Sequence, residues 1–325
     1  MNLITWQTVK SQIKQWDDRY QLWMAVPVAC AALLVLLVLV KSCQGIVYAN
    51  SNECRILRIG YPPDEAKAIA EALTDEQADS LIARNERDTL ACPVVNHRYF
   101  IADNFERYLT YHKNDTAAGI DDIIAVVNAG ADRKGYSVSI PSDTSKGVMI
   151  LVNKYNYLTD DYRPKDMVPF NKTCSYSDNQ ASRDVVEAFV KMHDACKAET
   201  GRTLLVSSSY RSFDHQRSTH KKYHDNLVAQ PGYSEHQTGL SIDVTSLEHP
   251  EKWAFGKSKE GIWVRENCYL YGFILRYPEG KAHITGYDYE PWHLRYVGIE
   301  AAKRIHDEGI TLDEYYAYYL DRETK

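Results

Sequence analysis

From Leu22 to Val40 the sequence reads LWMAVPVACAALLVLLVLV, a run without a charge. A bilayer core takes about 20 such residues as a helix, because no water is there to satisfy open backbone groups. The run predicts a transmembrane helix at residues 22–40. A cleaved signal peptide competes with that reading but fits less well. The run is long for a signal, and Lys41, Ser42 and Cys43 make a poor small-residue cleavage site. Lys41 also stands where a lipobox needs a small apolar residue. Lys10, Lys14 and Arg19 precede the run and Lys41 follows it. The positive-inside rule then leans toward a cytoplasmic segment at residues 1–21, with the rest of the chain outside.

The remainder has an ordinary globular composition. Of 325 residues, 44% are apolar, enough for a packed core. The net charge of −6 argues against nucleic acid, which selects basic faces. Cysteine does not supply a metal site: Cys30 lies in the apolar run, Cys43 at its edge, and Cys54, Cys92, Cys174, Cys196 and Cys268 are scattered with no CxxC.

Residues 49–145 read as mostly helical. Asp64–Leu73 and Asp75–Arg84 are short helices separated by a Thr-Asp start signal, and Ile120–Asn128 is another. No cluster there carries chemistry, so the segment reads as a spacer or accessory region. From Gly147 the texture changes, and residues 147–325 read as a second domain. Val148–Val152 has strand length, and Pro164–Pro169 reads as loop. Ser182–Thr200 is an amphipathic helix, with Val185, Val186, Phe189, Met192 and Cys196 at helical spacing and Gly201 at the stop. His193 lies near that stripe and reads as a core histidine. Strands are expected at Thr203–Ser207, Leu240–Val244, Phe273–Tyr277 and Trp292–Tyr296, with closing helices at Ile299–Asp307 and Leu312–Leu320. Helices and strands mixed without strict alternation give an α+β class: a small antiparallel sheet flanked by helices.

Two segments carry chemistry: Ser234-Glu235-His236-Gln237-Thr238-Gly239-Leu240-Ser241-Ile242-Asp243, and Glu290-Pro291-Trp292-His293. A catalytic zinc site takes three protein ligands from His and carboxylate and keeps one position open for water. His236, Asp243 and His293 would supply that set. On the strand from Leu240, the residues Leu240, Ile242 and Val244 share one face, which leaves Ser241 and Asp243 on the other. Glu290, three residues before His293, is placed to act as a base on the metal-activated water. In a chain with 11 histidines such a His/Asp spacing also arises by chance. For His236 alone, a core or capping role is an equal reading. The ExxH segment favours the metal but does not settle it.

The segments PGYSEHQTGLSID, YGFILRYP and YEPWHLRYVG resemble the zinc D-alanyl-D-alanine carboxypeptidases of the VanY type, in the superfamily of lysostaphin-like, D-Ala-D-Ala-specific and hedgehog-type domains. That family's pattern, SxHxxGxAxD with ExxH, is met by Ser234, His236, Gly239, Asp243, Glu290 and His293, and Ser241 departs from the usual alanine. The resemblance extends to LVNKYNYL at Leu151–Leu158, YRPKDMV at Tyr162–Val168 and SSYRS at Ser208–Ser212, where Ser209 replaces a usual glycine. It covers roughly Gly147 to Gly298.

The resemblance implies Zn²⁺ on His236, Asp243 and His293, and Glu290 as catalytic base. It implies Arg211 as the residue that binds substrate and steadies the developing oxyanion. Gln216 and Ser234 are implied to line the substrate cleft. Without the resemblance, Arg211 would read as a solvated surface residue, and His215, His220 and His224 as solvent-facing. The implied reaction is removal of the terminal D-alanine from peptidoglycan stem peptides at the cell membrane, with the catalytic domain outside. Two alternatives remain: L,D-specificity for tetrapeptide stems, and a non-catalytic wall-binding module that keeps zinc as a structural ion.

Overall fold

The structure is a computed structural model; it describes residues 6–223 and 228–321. Residues 1–5 of the expected cytoplasmic segment, and His224, lie outside the described residues. Two compact units divide between Arg98 and Tyr99.

The first unit is helical throughout: α1 (Trp6–Ala49), α2 (Asn52–Arg58), α3 (Pro63–Ala72), α4 (Asp75–Ala83) and α5 (Ala91–Val95). Within α1, Ala29–Ala49 is long and apolar enough to cross a membrane, with mean hydropathy 2.2 and no burial against protein. Those are properties that a membrane span shares with a signal sequence. The expected span began at Leu22, but the side chains from 22 to 28 lie outside the described ones. Beyond α1, Ile56, Ala66, Ile69, Ala78 and Leu81 form a buried seam. The Thr-Asp signal is a capping box: Thr74 accepts from the Gln77 amide while the Gln77 side chain caps the Thr74 amide.

The second unit begins with α6 (Phe105–Asn114) and α7 (Ile120–Asn128). Residues 99–146 fall in the same compact unit as the segment from Gly147 onward. Two short strand pairs follow. The first, β1 (Ile140–Pro141) with β2 (Asn156–Tyr157), is parallel. The second, β3 (Met167–Pro169) with β4 (Gln180–Ser182), is antiparallel, so part of the stretch read as loop is paired strand.

The helix α8 (Arg183–Thr200) ends where Gly201 takes a left-handed φ of 75°, a conformation that costs glycine little. Its buried stripe of Val185, Phe189, Met192 and Cys196 packs with Leu204, Val206, Leu240, Ile242, Val244 and Leu294. Each large side chain so buried contributes roughly 1.5–3 kcal/mol. The sheet beneath α8 has the order β5 (Leu204–Ser208), β6 (Ser241–Ser246), β8 (His293–Tyr296), β7 (Phe273–Leu275), and every neighbouring pair is antiparallel. The helices α9 (Phe213–Tyr223), α10 (Lys252–Lys257), α11 (Lys259–Asn267), α12 (Ala282–Thr285), α13 (Ile299–Glu308) and α14 (Leu312–Tyr315) complete the unit.

The architecture is the expected α+β class with a small antiparallel sheet. Two further local expectations are corrected. Val148–Val152 is not a strand: a 3-10 turn occupies Thr144–Met149. The carbonyls of Val148 and Ile150 are satisfied by the buried Arg295 guanidinium, at 2.9 and 2.6 Å, instead of by a neighbouring strand. The final helix is α only to Tyr315 and continues as one π turn over Tyr316–Leu320.

Candidate active site

Strands β6 and β8 pair so that Asp243 stands directly opposite His293. Opposed residues of an antiparallel pair point to the same face, so both side chains meet there. His236 arrives from a 3-10 turn, Glu235–Thr238, that leads into β6. Gly239 ends the turn at φ +71°, and a Cβ there would sit 2.8 Å from the Met167 sulfur. Gly239→Ala is expected to cost about 1–2 kcal/mol from the left-handed backbone alone, plus the displacement of Met167. Chemical denaturation would show this as a lower midpoint at unchanged slope.

One nitrogen from each of the two histidines and a carboxylate oxygen lie within 4.8 Å of one another. Asp243 Oδ1 is 3.4 Å from His236 Nε2 and 3.1 Å from His293 Nδ1. The remaining polar atom of each residue is held elsewhere. His236 Nδ1 donates to the Ser209 carbonyl at 2.7 Å, so Nε2 carries the lone pair. Asp243 Oδ2 accepts from Lys252 Nζ at 2.8 Å. His293 Nε2 faces Glu235 Oε2 at 3.4 Å. Two imidazoles and a carboxylate oriented in this way fit a zinc ion, whose ligating histidines usually hand their second nitrogen to a fixed acceptor.

The charges follow from burial and neighbours. Burial, with Arg211 close by, lowers His236 to about 4. Burial would also lower His293, but hydrogen bonds to Asp243 and Glu235 outweigh it and raise the group to about 9. Burial opposes ionisation of Asp243, yet His236 and Lys252 hold it well below the usual carboxylate range. Glu290 is raised, chiefly by burial. That is the direction a general base needs.

A cavity of about 390 Å³ opens over these groups. His236, Asp243, His293, Glu290, Arg211 and Ser234 all line it. Glu290 Oε2 is 3.9 Å from His293 Nδ1. The Arg211 Nε is buried without a hydrogen-bond partner. Gln216 is absent from the lining: it is fully buried and its amide donates to the Ala229 carbonyl at 2.7 Å. It supports the wall, since Ala229 itself lines the cavity. His215 is exposed, and His283 faces Asp122 on the surface at 3.3 Å. His193 is a buried histidine bonded to the Leu204 carbonyl.

Sequence reasoning missed three side chains: Tyr277, Lys252 and Glu235. Tyr277 stacks on the His293 ring, with centroids 5.0 Å apart. Tyr287 lines the cavity beside it, and Lys252 crosses the Trp292 face at 4.9 Å. Glu235 stands between Ser234 and His236 of the first chemistry-bearing segment, and that position was its available signal. It accepts from Arg276 Nε at 2.7 Å and Arg295 Nη1 at 2.9 Å.

Burial opposes ionisation of Glu235, but the two arginines outweigh it and hold the carboxyl well below the usual range. A depressed folded-state value means stability that is complete above the unfolded value and lost as pH falls below it. The contribution of Glu235 to the melting temperature is therefore expected to hold down to about pH 4 and to be lost below it, beneath the range in which the depressed His236 already costs stability as pH falls. The charge-balanced pair Glu235→Gln/Arg295→Met, which leaves no unpaired buried arginine, should flatten that loss below pH 4 in a melting series across pH.

Comparison with known proteins agrees with these observations. A family model described as VanY, D-alanyl-D-alanine carboxypeptidase, matches residues 178–299. The putative carboxypeptidase YodJ of Bacillus subtilis (strain 168) is 41% identical over 185 residues, 53% of this chain and 67% of its own length. A D-alanyl-D-alanine carboxypeptidase of Enterococcus faecium is 39% identical over 145 residues, 44% of this chain and 46% of its own. This chain thus spans about half the length of that enterococcal relative. Among solved structures, the LdcB LD-carboxypeptidase is similar at 38% identity and TM-score 0.52, covering 57% of this chain and 92% of its own. The chain belongs to the VanY family of D-alanyl-D-alanine carboxypeptidases.

Proposed function

We propose that this protein is a zinc carboxypeptidase that removes the terminal D-alanine from peptidoglycan stem peptides ending in D-Ala-D-Ala. The observation that carries the reading is the His236–Asp243–His293 set with a raised carboxyl, Glu290, in the same cavity. Zinc bound by these three residues would supply Lewis acidity toward water and the scissile carbonyl. Glu290 takes a proton from the attacking water and delivers it to the departing amine. Arg211 holds negative oxygen, either the substrate carboxylate or the developing oxyanion; its fork suits both and stays charged at working pH. Ser234 borders the same space. The apolar helix anchors the chain in the cell membrane with the catalytic unit outside, and the helices before residue 99 act as spacer.

A second reading, L,D-specificity on tetrapeptide stems, is favoured by the likeness to the LdcB LD-carboxypeptidase. A non-catalytic wall-binding module is disfavoured by Glu290, which such a site has no use for.

The test uses the full chain in detergent, loaded with zinc, on pentapeptide and tetrapeptide stems, with products read by mass spectrometry. Loss of one alanine from the pentapeptide, stopped by a chelator and restored by zinc, is the expected result. Cleavage of the tetrapeptide alone would move the assignment to the L,D reading. No cleavage of either would leave the binding module.

A further inference from the structure

Each of the three donor residues is held from behind, and one of these supports runs deep into the domain. His236 leans on a backbone carbonyl, and Asp243 on the half-exposed Lys252. His293 leans on Glu235, a fully buried carboxylate. Glu235 Oε2 also accepts from Ser241 Oγ at 3.1 Å. Its Oε1 takes both guanidinium contacts described above. From there Arg276 continues to Asp313, with Nη1 2.6 Å from Oδ2 and Nη2 3.3 Å from Oδ1. Asn153 Nδ2 closes the chain on Asp313 Oδ1 at 2.8 Å.

Two guanidinium groups thus face two carboxylates with no net charge and almost no solvent. Burying such a cluster costs desolvation that packed apolar residues avoid, so its presence is weakly explained by stability. Its geometry suggests another use. His293 faces a carboxylate on each side, Asp243 Oδ1 at Nδ1 and Glu235 Oε2 at Nε2. With Nδ1 and Asp243 given to a metal, the one ring proton would stay on Nε2, where Glu235, which can only accept, holds it.

We propose that Glu235 is the positioning residue of His293, fixing its ring and tautomer, and that Asp313 fixes Glu235 in turn through Arg276. The inference rests on the reading of the His–Asp–His set as a zinc site. Asp313 opens α14 and Asn153 precedes β2, and both lie outside the family match at 178–299. The segment the family model covers therefore does not contain the whole support of its own site.

The test measures zinc affinity by chelator competition on the full chain, together with the ¹⁵N spectrum of the zinc-loaded histidines. Glu235→Gln alone leaves two buried arginines against one carboxylate and risks unfolding. The charge-balanced pair Glu235→Gln/Arg295→Met is therefore made beside it, along with Asp313→Asn, which touches no donor residue. Zinc binding about 10- to 100-fold weaker is expected in the balanced pair, with cooperative melting retained and His293 signals shifted toward mixed tautomers. Asp313→Asn should move both readouts the same way by less. A folded Glu235 variant with wild-type affinity and an unchanged His293 signature would overturn the proposal. A wild-type protein that takes up no zinc would instead overturn the metal reading beneath it.

Discussion

Glu290→Gln is expected to lower turnover on the stem peptide by about 100- to 10,000-fold while bound zinc is unchanged. Glutamine keeps the volume and one acceptor oxygen but cannot take a proton. Glu290 contacts the donor cluster only at 3.9 Å, from Oε2 to His293 Nδ1. It therefore stands beside the set, and its loss should not empty the site. Zinc content by elemental analysis separates the two effects. A variant that loses zinc along with activity would make Glu290 a ligand, and one that keeps near-wild-type turnover would remove it from the mechanism.

The second large effect is expected at Arg211. Its guanidinium lines the cavity and its Nε is buried without a partner, which is costly unless a ligand completes it. Arg211→Lys keeps the charge but replaces a planar fork with a shorter point charge, so bidentate contact with a carboxylate or oxyanion is lost. A fall in kcat/KM of about 100- to 1,000-fold is expected. The division of that fall assigns the contact. A rise in KM alone places Arg211 on the substrate carboxylate, while an equal drop in kcat places it on the transition state. Retention of more than a tenth of wild-type kcat/KM would remove Arg211 from the site.

Much of this arrangement is legible in the sequence because it depends on short-range patterns. The alternation of Leu240, Ile242 and Val244 against Ser241 and Asp243 gives the strand and the face of Asp243 together. The α8 stripe and its glycine stop are equally local. What escapes is whatever depends on contacts distant in sequence. Val148–Val152 has strand composition, but Arg295 satisfies its carbonyls, and that partner lies far along the chain. Lys252 reads as one surface lysine among many until the fold sets it against Asp243. Gln216 matches the family position, yet its side chain turns to Ala229 and stays out of the cavity. Glu235 is flanked by residues that draw more notice, and its two arginines come from β8 and from the residue just after β7.

The pairing of β6 with β8 has a consequence for the order of events in the cell. Side chains alternate along a strand, so a slip of one residue would turn Asp243 and His293 to opposite faces. The two are 50 residues apart, and contacts of such range form after the intervening chain has been organised, with loop entropy against them until then. A nascent chain offers a divalent ion only isolated imidazoles and carboxylates, as any unfolded protein does. On the proposed zinc reading, a selective site exists only where that register is complete, so metal binding and the β6–β8 pairing are linked.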